Sequence, residues 1–275
     1  MFNDSVRHIA EQDSVHNAVQ HAAEHGAGGS DFIMGHLLSH PVIPLPTVAG
    51  IDLTITNHVV MMFVSGLLLI VAFGWTFRNP RLVPKGFANA LESIVEYVYN
   101  EAIKPNLGPH SRMYAPYLLT AFFFILLCNF LGLVPFGATA TGNIGVTLAM
   151  AIITLLVGQV AGIRKFGFIT FYKHIVPPGL PVFIIPIMLP VEIMSLIAKH
   201  FSLAIRLFAN MVGGHITILA IMSIIFMFQN WLISPLPLVL ILFSSLLEVL
   251  ITFIQAYVFT TLSAVFIGTS LAEEH

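Results

Sequence analysis

The sequence predicts an all-α membrane protein with five transmembrane crossings and one amphipathic helix at the interface. Three observations lead there. Hydrophobic residues make up 57% of the 275 and charged residues only 9%, where soluble domains carry about 25% charged residues. Mean hydropathy is +0.92. Long stretches, including residues 53–77 and 113–163, contain no Lys, Arg, Asp or Glu at all. Finally, nearly all the cations fall in the loops of one side once the crossings are drawn.

The elements follow in chain order. Residues 1–57 form a polar tail, and seven of the twelve histidines lie at or before His58. The tail lacks the charged-then-apolar pattern of a signal peptide. Its six histidines before Pro41 have no fixed spacing, so a solvated tail is expected rather than a metal tract. Residues 58–275 read as a single membrane domain. Span one is near 58–77. Over 87–104, Leu91, Ile94, Val95 and Val98 recur at helical spacing among Glu92, Glu96 and Glu101. That pattern predicts an amphipathic helix lying at the interface. Residues 113–163 suffice for two spans at roughly 20 residues each. The Gly- and Thr-containing break at 135–142 divides them, near 114–134 and 143–163. A fourth apolar segment covers 191–228, Pro235 and Pro237 punctuate the chain, and a fifth covers 238–267. About 38 residues of helix would be roughly 57 Å long, against about 30 Å of hydrocarbon. The fourth segment must therefore tilt steeply or break, with Gly213-Gly214 the candidate break.

Five crossings with the N-terminus outside place Arg78, Arg81, Lys85, Lys104, Arg112, Arg164, Lys165, Lys173 and Lys199 on the inner side. That satisfies the positive-inside rule and puts the C-terminus in the cytoplasm.

Arg206 is the only Lys, Arg, Asp or Glu between Lys199 and Glu248. A guanidinium stays charged at any biological pH. Holding it at membrane depth costs at least roughly 2.5 to 3.5 kcal/mol. Such a charge needs a partner, water or a moving counter-ion, and no acid of this chain lies near its depth. Its counter-charge is expected on another subunit. Glu192, fourteen residues earlier, shares its helix face about 21 Å away along the axis. Asn210 is one turn beyond Arg206 on the same face, and His215 is nearly opposite. The last span offers Glu248 and Gln255, two turns apart on one face. The polar groups thus form two clusters about Arg206, with Glu192 toward the inside and His215 with Glu248 toward the outside. Plainer roles exist for several. Lys199 and His200 are expected to snorkel to the inner interface. Asn129, Asn210 and Gln255 suit interhelical hydrogen bonding.

Other chemistries are excluded. Cys128 is the single cysteine, so neither an intramolecular disulfide nor a CxxC metal site can form. No Gly-rich phosphate loop or basic aromatic patch is present, which argues against nucleotide and nucleic-acid binding. Paired haem-ligating histidines on facing spans are lacking. No cofactor and no metal is expected.

Arg206-Leu-Phe-Ala-Asn210-Met resembles the signature of subunit a of the F-type ATP synthase membrane sector. Glu192, Asn143-Ile-Gly-Val-Thr-Leu, Gln255-Ala-Tyr-Val-Phe and the Glu-Glu-His end fit the same family. The resemblance covers about 57–275. It implies a stator beside a ring of c subunits, in contact with peripheral-stalk b subunits and the rest of the ATP synthase, in a bacterial inner membrane. It also implies that the last two long helices tilt strongly against the c ring. Two offset half-channels would reach the ring, one led by His215 and Glu248 with Asn210 and Gln255, the other marked by Glu192. Arg206 would meet each ring carboxylate and favour its ionised form. ATP chemistry would occur on other subunits. His215 and Glu248 resemble the reversed acid-and-histidine arrangement of mitochondrial and some bacterial members, and the His-rich tail is no family hallmark. The alternatives are a proton- or cation-coupled secondary transporter, which should show internal repeats and a mid-membrane substrate site, and a structural anchor, which would not justify Arg206.

Overall fold

The computed structural model describes residues 41–43, 55–78, 85–133, 139–174, 185–228 and 235–272. The tail histidines, Arg81, the first part of the 135–142 break and the terminal Glu-Glu-His lie outside the described residues. Apart from a short antiparallel pairing of β1 (Pro41–Ile43) with β2 (Ile55–Thr56), every element is helical. The helices are α1 (Asn57–Thr76), α2 (Phe87–Val98), α3 (Lys104–Leu107), α4 (Ser111–Gly132), α5 (Ile144–Phe166), α6 (Phe168–His174), α7 (Ile185–Phe228) and α8 (Pro235–Leu271). Five helical stretches among the described residues are long and apolar enough to cross a membrane: 57–76, 87–132, 144–166, 190–223 and 235–271.

The second of these begins earlier than the sequence suggested. A π turn at Tyr99–Ile103 and a 3₁₀ turn at Gly108–His110 join α2, α3 and α4 without an extended linker. Gly108 supplies the bend, with φ +51°, a conformation that costs glycine little. α2 is amphipathic as expected: Leu91 and Val98 are buried, while Glu92 and Glu96 are exposed. Beyond it, Ala102, Ile103 and Leu107 join the core, and Tyr97 stacks near Tyr257 of α8 at 5.9 Å.

α7 runs 44 residues without interruption, straight through Gly213-Gly214. The candidate break is therefore absent. Where water is excluded, backbone polar groups must be paired within the segment, and a helix is the way to do so. At 1.5 Å per residue α7 is about 66 Å long, more than twice a bilayer's hydrocarbon thickness.

α4, α7 and α8 enclose the core, whose fully buried side chains include Phe122, Ile125, Leu203, Leu207, Phe259 and Ile267. α1 packs on α4 and turns Phe63, Leu67, Ile70 and Trp75 outward. Large outward apolar faces continue along α7 and α8, through Ile197, Ile205, Leu242 and Leu246. An aqueous surface would not tolerate so much exposed hydrocarbon, whereas lipid does.

The helix ends are pinned at two levels. At one end the turn Ala140–Gly142 lies among α1, α4, α5 and α7. At the other, Lys165 of α5 donates to the Leu271 carbonyl at the end of α8 (2.9 Å), and Gly268 sits so close to the Asn106 carbonyl that a Cβ would collide with it.

Candidate functional site

α7 carries Glu192, Arg206, Asn210 and His215, and α8 carries Glu248 and Gln255. These two helices pack closely along their length. Helical periodicity then decides which side chains meet across the seam and which look outward.

Arg206 looks outward. It is exposed and forms no ion pair or hydrogen bond among the described residues; Lys199 is likewise exposed and Glu192 half-buried, and neither has such a partner among the described residues. It lines an open groove of about 380 Å³ with Ser195, Lys199 and Ser202 of α7 and Leu262 and Phe266 of α8. Ser195, Lys199, Ser202 and Arg206 recur three or four residues apart, the spacing of one helix face. The groove is thus a polar strip on α7 facing an apolar wall on α8, with a fixed positive charge at one end.

His200 departs from expectation. It does not snorkel. Its imidazole is buried against Phe266, with centroids 4.7 Å apart, and its Nδ1 donates to the Leu196 carbonyl at 2.9 Å. Lys199 alone keeps an exposed position there. One residue's rotation on a helix, about 100°, separates the two fates.

Past Arg206 the side chains turn into the seam. Asn210 Nδ2 donates to Gln255 Oε1 at 2.5 Å, while Gln255 Nε2 is buried without a partner among the described residues. Both residues, expected to suit interhelical hydrogen bonding, are joined to each other, and one donor is left over. Glu248 is buried and neither carboxylate oxygen has a hydrogen-bond partner among the described residues. Its carboxyl lies where a Cβ on Gly214 would sit. Gly214 is therefore the residue that admits the acid to the seam.

His215 and Glu248 are brought to one level, since Gly214 touches the acid, but they are not bonded to each other. His215 Nε2 pairs with Thr139 Oγ1 at 2.7 Å. The Thr139 carbonyl in turn accepts from His58 Nδ1 at 2.8 Å and from Gly142 N at 3.0 Å. Thr141 Oγ1 donates to Asn129 Oδ1 at 2.5 Å. Asn129, expected as packing glue, binds a turn rather than another span. Sequence reasoning assigns no role to Thr139 or His58 and reads Gly214 only as part of a candidate helix break. The one available signal was His58 itself, a histidine at the mouth of a charge-free span. Among the described residues no group of three metal-ligating side chains is found.

Residues 59–268 match the family described as ATP synthase A chain. The chain is 44% identical to ATP synthase subunit a of Chloroherpeton thalassium, over 84% of this chain and 71% of that protein. It is 40% identical to ATP synthase subunit a of Chlorobium phaeobacteroides, over 99% and 86% of the two chains. It is 41% identical to ATP synthase subunit a 2 of Prosthecochloris aestuarii, over 92% and 84%. Five apolar helices among the described residues and these relatives agree: the chain is a multi-pass membrane protein and belongs to the ATP synthase A chain family, subunit a of the F-type membrane sector.

Proposed function

We propose that this chain is the stator that leads protons to and from a rotating c ring, through two half-channels kept apart by Arg206. The observation that carries the reading is Arg206 itself. It is exposed on a helix whose surroundings are apolar, it has no partner in this chain among the described residues, and it borders an open groove. A permanent cation so placed is stable only if a negative charge or water arrives from outside the chain.

On this reading the N-terminus is outside and the C-terminus cytoplasmic, in a bacterial plasma membrane, with b subunits of the peripheral stalk holding the chain in place. The long helices α7 and α8 lie tilted along the ring. Protons enter from outside past His215 and Glu248, with the Asn210–Gln255 pair alongside, and reach a ring carboxylate. That carboxylate crosses lipid in its protonated form, because an ionised one costs too much there. On meeting Arg206 it is favoured in the ionised form and releases its proton. The proton leaves by the groove, past Ser195 and Ser202 toward Glu192. A guanidinium in the gap repels protons moving directly between the two paths, so flux requires rotation. Each charge crossing 100 mV supplies about 2.3 kcal/mol. ATP is made on other subunits.

The test is Arg206→Ala and Arg206→Lys in the assembled synthase. Both should lose ATP synthesis to background. The alanine variant should also leak protons passively in valinomycin-driven uptake by membrane vesicles. The lysine variant fails because a point charge on a flexible stem, able to deprotonate when desolvated, replaces a rigid permanent one. Normal synthesis in either variant overturns the assignment.

A further inference from the structure

The proton path proposed above stops, on the side of His215, at a residue whose partner is not acidic. His215 Nε2 meets the hydroxyl of Thr139, and the carbonyl of the same residue meets His58 Nδ1. We infer that Thr139, held in place by His58, is the positioning residue for His215, and that the His58–Thr139–His215 strut keeps that imidazole aligned both when it carries a proton and when it does not. The inference rests on the proton-path reading of His215.

The argument begins with what each partner can do. A carbonyl only accepts, so His58 Nδ1 must carry hydrogen and donate. Gly142 N donates to the same oxygen at 3.0 Å, so both lone pairs of the Thr139 carbonyl are used. His58, Ser65 on the same helix and Thr139 are all buried, which makes an abandoned bond costly. The backbone at 139 is therefore fixed from two directions. A third constraint is steric. A Cβ on Gly132, at the end of α4, would collide with the Thr139 side chain and with Met211. Gly132 leaves the space that the threonine fills.

The hydroxyl behaves differently from the carbonyl. It can donate to a bare imidazole nitrogen or, after rotating, accept from a protonated one. A carboxylate in its place would favour only the charged ring, and an amide N–H only the neutral ring. A hydroxyl favours neither, which suits a group that must take up and release a proton at each step. Glu248 on α8 faces the same region of α7 and is the other titratable neighbour. Among the described residues His58 is linked to His215 through Thr139. Their charges alter how readily His215 binds a proton, whereas the strut determines where the ring points.

The test compares paired variants in the whole synthase, in inverted membrane vesicles. Thr139→Val keeps the shape and removes the hydroxyl, and Thr139→Ser restores it. His58→Leu removes the N–H, and His58→Asn restores a donor in the position of Nδ1. The expected result is that Thr139→Val and His58→Leu lower ATP-driven proton pumping about fivefold to tenfold, the scale of one lost buried hydrogen bond. The serine and asparagine variants should recover most of it. In a His215→Ala background, Thr139→Val should have little further effect, because the ring it serves is gone. Co-purification of each variant with the ring checks assembly. If His58→Leu does not assemble, Thr139→Val with its serine rescue and the His215→Ala cycle decide. Wild-type pumping in Thr139→Val, failure of serine to restore it, or additive losses with His215→Ala would overturn the inference. If His215→Ala itself pumps normally, the failure lies with the proton-path reading instead.

Discussion

The two sides of Arg206 are constructed differently. Toward His215, polar side chains are tied to other elements: His215 to Thr139, Thr139 to His58, Asn129 to Thr141, Asn210 to Gln255. Toward Glu192, the charged groups Lys199 and Glu192 have no protein partner among the described residues, and the groove lies open. One side is assembled from four helices and a turn, and the other is a strip on one helix. A path held by specific bonds has few ways to relax after substitution, while a wet one lets water replace a lost group. The difference predicts steep sensitivity on the first side and shallow sensitivity on the second.

Away from Arg206 itself, the largest effect is expected at Gly214. A methyl there meets the end of the buried Glu248 side chain, so the carboxyl must turn out of its place in the seam to make room. Overpacking of this kind costs about 1 to 3 kcal/mol. Gly214→Ala should therefore reduce proton pumping at least about tenfold. Combining it with Glu248→Ala, which clears the space, should add little to the loss caused by Glu248→Ala alone. A Gly214→Ala synthase that pumps normally would show that the acid is free to move, and the contrast between the two sides would weaken.

An intermediate effect is expected from exchanging the two titratable residues. His215 and Glu248 share a level but no bond. Each single swap, His215→Glu or Glu248→His, should impair pumping. The double swap should do better than the sum of the two losses, by a coupling on the order of 0.5 to 3 kcal/mol if they share one water-filled space. Losses that simply add would show that the two act independently.

The smallest effect belongs to Glu192. Glu192 lies one turn before the groove and has no partner among the described residues, so water can substitute for its carboxylate. Glu192→Gln should slow ATP synthesis a few-fold and Glu192→Asp less, with assembly unchanged. A complete block by Glu192→Gln would mean that the groove is as tightly specified as the opposite side.

Much of this was legible in the chain. The five crossings follow from charge-free stretches, because lipid penalises every charge and spans must be long. Arg206 stood out for the same reason, and Asn210 and Gln255 were each legible as interhelical hydrogen-bonding residues, though not as partners of one another. What was not legible depends on tertiary contacts across large sequence separations. Thr139 and His58 are 81 residues apart, and Thr139 and His215 76. Nothing in a threonine between two alanines announces either bond. Gly213-Gly214 looked like a hinge because glycine loosens helices in water. In an apolar setting the helix persists, and Gly214 serves a neighbouring helix rather than its own. His200 was misjudged because its sequence neighbour is a lysine, whereas its position on the helix turns it toward Phe266.

The bond from Lys165 to the end of α8 and the contact of Gly268 with the Asn106 carbonyl have a mechanical meaning. On the proposed reading, a ring driven past Arg206 would push back on the helices that hold the guanidinium, and work done in bending those helices would be lost to rotation. α8 is clasped at its far end by a charged side chain from α5 and by a backbone contact too close for any residue but glycine. Such a mount resists sliding along the helix axis as well as rolling about it. If the chain is a stator, its stiffness would be set at this clasp, remote from the proposed proton path.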